Sequence, residues 1–252
     1  MKKRLKERKQ KSLRYVQPHI LLIETSTQVC SVSLTAGSRI AASRQTDMPK
    51  AHASLLAVFI RDILQECGLS VRDCDAVAVS GGPGSYTGLR VGVSTAKGLC
   101  FGASLPLIQV NSLELIAQSY LDHNTSVNPR RIYPMIDARR MDVYTAPYSA
   151  GTIDDKGRVA IMEGPVEALT IIAGRFAEDL EQGLVVFTGN GASKCREVIQ
   201  HPNAVIAPLE SHASGMARAA MKAFREKKFE DVANYTPFYL KEFQAIRPKA
   251  DF

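Results

Sequence analysis

No apolar run in these 252 residues approaches the roughly 18 needed to span a bilayer, so the chain reads as soluble. No apolar core of a secretory leader follows the basic start, which points to the cytoplasm. Cysteine is sparse. Cys30, Cys67, Cys74, Cys100 and Cys195 are odd in number, scattered, and form no Cys-x-x-Cys pair. That pattern excludes a disulfide framework and a zinc ribbon, and leaves small buried hydrophobes in a reducing compartment. The five histidines (19, 52, 123, 201 and 212) make no His-Glu-x-x-His signature, and no Gly-x-Ser-x-Gly elbow occurs. Solenoid periods are absent too.

What is present is globular. Hydrophobic residues at 45% and charged residues at 23% exclude disorder and coiled coil, and the length suits one large domain or two lobes. A net charge of +7 suggests an anionic partner until the charges are located. Eight of the 32 basic residues and one of the 25 acidic ones lie in residues 1–14, leaving 24 of each in the rest. The charge belongs to a tail, either a solvated extension or an arm that touches RNA.

Residues 1–18 are therefore set aside, with lobes expected over 19–123 and 124–252. Ile20–Ile23, Cys30–Leu34 and Ile40–Gln45 read as three antiparallel strands, the last two joined at Gly37-Ser38. Leu55, Leu56, Phe59, Ile60, Ile63 and Leu64 recur at helical spacing up to Gly68. Ala76–Val79 predicts a buried strand, Thr87–Phe101 a helix, Leu107–Val110 a strand, and Asn111 caps a helix to Leu121. The polar stretch His123–Pro129 marks the lobe boundary. Beyond it, Arg131–Ile136, Val143–Tyr148, Val159–Met162 and Leu184–Thr188 predict strands. Val166–Leu180, striped by Leu169, Ile172, Phe176 and Leu180, and Ser211–Arg225 predict helices. Pro237 in the aromatic run 235–240 predicts extended docking. Two α/β lobes of this kind suggest a duplicated actin/hexokinase design, which usually clasps a nucleotide.

Most distinctive is the strand-to-helix loop Ser80-Gly81-Gly82-Pro83-Gly84-Ser85. Such a loop can present amide groups to phosphate, but no Gly-Lys-Ser/Thr follows and Thr87 stands where the dinucleotide fingerprint needs Gly or Ala. The other reading is a tight turn with a hydroxyl cap. The following helix carries Gly88, Gly92 and Gly98, each costing about 1 kcal/mol relative to alanine, so close packing must offset them. His52 and His212 read as helix starts, and Asp137, Asp142, Asp154 and Asp155 as turn residues.

The run Gly82-Pro83-Gly84-Ser85-Tyr86-Thr87-Gly88-Leu89-Arg90-Val91-Gly92 resembles the TsaB/YeaZ family of tRNA threonylcarbamoyladenosine biosynthesis proteins. Glu24-Thr25-Ser26, Cys30-Ser31-Val32, the His52 helix, Pro106-Leu107-Ile108, Ile136-Asp137-Ala138-Arg139, Val143-Tyr144 and Pro237-Phe238-Tyr239-Leu240 follow in the same order, over roughly residues 20–240. The resemblance implies an α/β, actin/hexokinase-like (ASKHA) fold of two related lobes, the C-terminal one reduced. It implies an accessory, non-catalytic subunit acting with the carbamoyltransferase TsaD and the ATPase TsaE, reaching tRNA through that complex and pairing with itself when alone. Where TsaD carries Asn-His-x-Glu-x-His, the resembling stretch Asn111 to Ile116 has Ser112 and Ile116 at the ligand positions, so no metal site is implied. Glu24 stands where relatives usually carry aspartate, which leaves Glu24, Thr25 and Ser26 as a vestigial phosphate loop and no cofactor expected. The helices before and after the glycine loop resemble the partner-binding surface, with Leu55, Phe59, Ile63, Val93, Ala96 and Cys100 as candidate contacts. The competing reading is a metallopeptidase-like or nucleotide-hydrolysing enzyme of the same superfamily.

Overall fold

The computed structural model describes residues 17–49, 51–152 and 157–241. The basic residues 1–14 and the candidates Asp154 and Asp155 lie outside that set.

The three expected opening strands form: β1 (Ile20–Glu24), β2 (Cys30–Ala36) and β3 (Arg39–Thr46), paired antiparallel. Gly37 turns the β2–β3 hairpin at φ +64°, where a side chain would be strained. Helix α1 (His52–Glu66) carries the chain to β4 (Ala76–Ser80), which lies parallel to β1. Helix α2 (Tyr86–Ala103) leads to β5 (Leu107–Val110), parallel to β4. The first sheet has five strands in the order β3-β2-β1-β4-β5.

After α3 (Ser112–His123) the design repeats. Strands β6 (Arg131–Asp137), β7 (Asp142–Thr145), β8 (Tyr148–Thr152), β9 (Arg158–Met162), β10 (Glu167–Thr170), β11 (Val185–Thr188) and β12 (Ala204–Ala207) form a seven-stranded sheet whose main path is β10-β7-β6-β11-β12. Its pairing matches the first sheet strand for strand: antiparallel β10–β7 and β7–β6, parallel β6–β11 and β11–β12. The β8–β9 hairpin hangs from β6 as an insertion. The copy is reduced. Where the first lobe has helices of 15 and 18 residues, the second has only α4 (Ala177–Gln182) and a 3-10 turn at Ala192–Cys195.

Two sequence expectations are corrected here. Val166–Leu180 is not one helix: β10 pairs with β7, Gly174 turns at φ +76°, and only then does α4 begin. The β-branched Thr170-Ile171-Ile172 suits an extended edge, and the apparent stripe is a strand and a helix read as one. Val143–Tyr148 is likewise two strands, β7 and β8, split at Ala146-Pro147, where proline has no N–H for a ladder.

The first sheet is covered on both faces, which is why β1 and β4 are buried throughout. Leu21, Ile23, Val77 and Val79 face α1 and α2. Their alternates Ile20, Leu22, Ala76 and Ala78 enter a second core with α3, Ile132 and Val186 of the other sheet, and Met216 and Ala220. Helix α5 (Ala217–Arg225), entered through a 3-10 turn at Ala213–Met216, supplies that last part. The expected helix 211–225 is thus present in two pieces, and it packs against β1 and β5 of the first sheet. The residues after it stay on that side: the Glu230 N–H donates to Leu107 O at 2.8 Å. A third core under the second sheet stacks Tyr133, Phe176 and Phe187 with ring centroids 4.7–5.8 Å apart.

Candidate functional site

The glycine turn follows β4 and caps α2. Ser85 accepts from the Gly88 N–H at 3.3 Å, the hydroxyl cap expected of the sequence. Gly81 donates to Val110 O, Gly82 to Ser112 Oγ (3.1 Å), and Ser85 to Ser26 O (2.7 Å). Ser112 returns its own N–H to Gly82 O, locking the turn to the start of α3. These amides serve the fold itself and are not free to hold a phosphate.

The glycines are required by what lies against them. A Cβ on Gly84 would stand 2.4 Å from Ser26 O, on Gly88 2.1 Å from Thr25 O, and on Gly92 2.2 Å from Thr25 Oγ1. On Gly82, at φ +103°, it would meet Phe238 O at 2.3 Å. Within the motif, Gly82, Gly84, Gly88 and Gly92 therefore admit the β1–β2 loop and the backbone at Phe238 against the turn and α2, while Thr87 and Arg90 stay exposed. Gly98 differs: no described atom lies within 4 Å of its Cβ position, so nothing described in the fold offsets its helix cost.

The β1–β2 loop is sealed beneath that turn. Glu24, Thr25 and Ser26 have no exposed surface. Glu24 Oε1 accepts from the Ser26 N–H (2.7 Å), from Ser26 Oγ (2.5 Å) and from Ser211 Oγ (3.3 Å). Glu24 Oε2 and Thr25 Oγ1 have no partner among the described residues. Burial pushes the Glu24 carboxyl up, opposed by the bonds from Ser26, Ser80 and Ser211. The seam runs on through Thr27 Oγ1 and Ser211 Oγ (2.5 Å), while His52 Nε2 donates to Thr27 O (3.0 Å). His212 caps the 3-10 turn by accepting from the Ser214 N–H, and burial lowers its basicity. These residues join the lobes. A phosphate does not fit here, since the loop is covered and the buried Glu24 carboxyl occupies it, with the Ser26 N–H and hydroxyl already turned to that carboxyl.

At the positions where TsaD-type proteins place metal histidines, Ser112 accepts from Gly82 and Ile116 lies in the interlobe core. Asn111 caps α3 through the Leu113 N–H at 2.8 Å. Glu114 is pushed up by burial, with Lys222 opposing. Asp137 and Asp142, expected in a turn, instead end β6 and begin β7, on either side of the turn: Asp137 accepts from the Arg139 N–H, and Asp142 accepts from the Thr170 hydroxyl.

Between α1, α2 and the loop that follows α1 runs an apolar groove of about 600 Å³, lined by Ala57, Ile60, Leu64, Leu69, Thr95 and Leu99 among others, with Ile60 and Leu64 forming its floor on the core. Phe101 stands 85% exposed on α2. The candidate contacts need correction on this point. Ile63, Val93, Ala96 and Cys100 are 0–4% exposed and face the sheet, so they support the helices from within. Leu55 and Phe59 are half-buried and stay partly open to solvent on α1, outside the groove's lining. The mistake has a physical origin: α1 and α2 are apolar on more than one side, and periodicity does not say which side meets the sheet. Gly98 was the available signal, a helix glycine with no described neighbour.

Two sheets of matching order, joined by a shared core and exchanged helices, define a two-lobed ASKHA-type protein with a reduced second lobe. The family described as TsaD, tRNA N6-adenosine threonylcarbamoyltransferase, matches residues 41–246. The chain belongs to that family. It is 27% identical over 230 residues to the tRNA threonylcarbamoyladenosine biosynthesis protein TsaB of Bacillus subtilis (strain 168), covering 90% of this chain and 95% of that protein. To the TsaB of Escherichia coli (strain K12) it is 39% identical over 129 residues, covering 51% of this chain and 54% of that one. The chain thus matches about half the length of that relative. A crystal structure from Pseudomonas aeruginosa, described as an uncharacterized protein with similarity to peptidase YEAZ, superposes with a TM-score of 0.75 at 27% identity, covering 89% of this chain and 100% of that one.

Proposed function

We propose that this chain is a non-catalytic subunit in tRNA threonylcarbamoyladenosine biosynthesis, docking a TsaD protein across the α1/α2 groove and working in the cytoplasm with TsaE on tRNA held by the complex. The observation that carries it is the groove, an apolar surface between two helices; the same helix α2 also presents exposed Phe101 and, at Gly98, a glycine with no described atom against it. A helix from a partner approaches closely at such a glycine. With no TsaD present, a second copy of the chain covers the same face. The names of the relatives supply the reaction, and the structural jobs of Ser112 and Ile116 support the non-catalytic role.

The test is reconstitution. Adding the purified chain to TsaD, TsaE, ATP and tRNA should raise the rate of modified-adenosine formation, and no gain over TsaD and TsaE alone would reject the role. Ala57 is exposed on the groove wall, so Ala57→Glu should weaken association with TsaD about tenfold or more without lowering thermal stability. Unchanged affinity in a titration would move the docking surface elsewhere.

A further inference from the structure

The last described segment makes a set of contacts that the docking reading does not use. After its bond to β5 at Glu230, the chain runs along α2, where Lys97 Nζ donates to Ala233 O and Tyr235 O, both at 3.0 Å. It then crosses the glycine turn: the Phe238 N–H donates to Gly81 O at 2.8 Å, and Phe238 O lies against Gly82. Gly81 leaves room for the Tyr235 hydroxyl, 2.5 Å from where a Cβ would be. Tyr239 packs on Tyr86 with ring centroids 4.7 Å apart, and Arg90 covers the Tyr86 ring at 4.3 Å. Beyond the turn the segment reaches the other lobe, where Lys241 Nζ donates to Asp142 Oδ2 at 2.7 Å.

We propose that residues 230–241 form a latch between the lobes, rooted on β5 and α2, closed over the glycine turn, and opened by release of Lys241 from Asp142. The two ends differ in kind. The root is backbone pairing on a buried strand, with Leu107 fully buried. The far end is one ion pair whose side chains are 41% and 32% exposed, the sort of contact that salt weakens and that contributes little by itself. Between them the strap holds the glycine turn mostly by close fit, with Phe238 still 48% exposed. The strap therefore opens from its far end while its root stays paired. Opening uncovers Gly81, Gly82 and Tyr86 and unties α2 from the β6–β7 hairpin. The strap meets α2 at Tyr86 and Lys97, away from the groove residues Thr95 and Leu99, and the latch needs no partner to operate.

Amide exchange on the full chain tests this with no partner present, so its outcome is independent of the TsaD reading. The Phe238 N–H reports closure and the Glu230 N–H reports the root. Raising salt from 0.05 to about 0.5 M should speed Phe238 exchange about two- to fivefold and leave Glu230 unchanged. Lys241→Met and, separately, Asp142→Asn should give the faster Phe238 rate already at low salt, with no further response to salt. The latch is overturned if Phe238 exchange in both variants equals that of the unmodified chain, or if Phe238 and Glu230 accelerate together, which would mean the strap leaves as one piece with its strand.

Discussion

Gly88 and Gly98 sit on the same helix and answer to different neighbours. A methyl group on Gly88 would press into the Thr25 carbonyl, a backbone atom held in a sealed loop, so Gly88→Ala should cost about 3 kcal/mol in a denaturant titration. Gly98→Ala meets nothing described and should stabilise the isolated chain by about 1 kcal/mol while impairing docking. Opposite signs for one substitution at two helix positions would separate packing from recognition. Loss of stability in both would deny that Gly98 faces open space. Glu24 adds a pH test. Its pKa is raised from the ordinary 4.5, so the folded state holds its proton more tightly than the unfolded state does. Its contribution to stability therefore falls as pH rises above about 4.5, through the folded value. Glu24→Gln keeps an acceptor for Ser26 and Ser211 but carries no charge. Its melting temperature should exceed that of the unmodified chain by a margin that widens from pH 5 to pH 8, and a constant margin would show that Glu24 is not the titrating group.

At the scale of elements, the sequence was most readable where one signal acted alone. Strands β1, β4 and β5, the Asn111 cap and the Gly37 turn follow from short buried apolar runs, a capping side chain and a glycine between two strands. Reading failed where two elements shared one apparent period, as in β10 and α4, because a strand edge and a short helix can together mimic a helical stripe. It failed also on orientation. Val93, Ala96 and Cys100 are apolar and evenly spaced, but their spacing is the same whether the face meets a sheet or a partner. The Ser85 cap belongs to this scale. Ser85→Ala removes an acceptor for the Gly88 N–H and should cost about 1 kcal/mol, measurable as a lower denaturation midpoint.

The whole molecule is two copies of one strand order that share a core. The core shared by Ile20, Leu22, Leu113, Ile132, Val186 and Met216 draws on both sheets, and the chain from Ser211 onward lies against the first sheet although it follows the second. A boundary near His123–Pro129 is a boundary in sequence, and the packing crosses it. Thermal unfolding should then be a single transition, with calorimetric and van't Hoff enthalpies equal, and Leu113→Ala should lower its midpoint by the equivalent of about 2–5 kcal/mol without splitting it. Two resolved transitions would mean that the lobes are independent.

By itself the sequence determined the class of elements, the duplicated α/β design, the family motif and the confinement of the +7 charge to the first fourteen residues. These are local or compositional properties, carried by neighbours along the chain. Only the tertiary structure decided that the glycine turn is a seat for other backbone, which helix faces stay outside, and that the C-terminal segment returns to tie the lobes. Those outcomes depend on residues far apart in sequence meeting in space: Thr25 with Gly88, Phe238 with Gly81, Lys241 with Asp142. No spacing along the chain encodes such meetings, because they are set by how the two sheets pack.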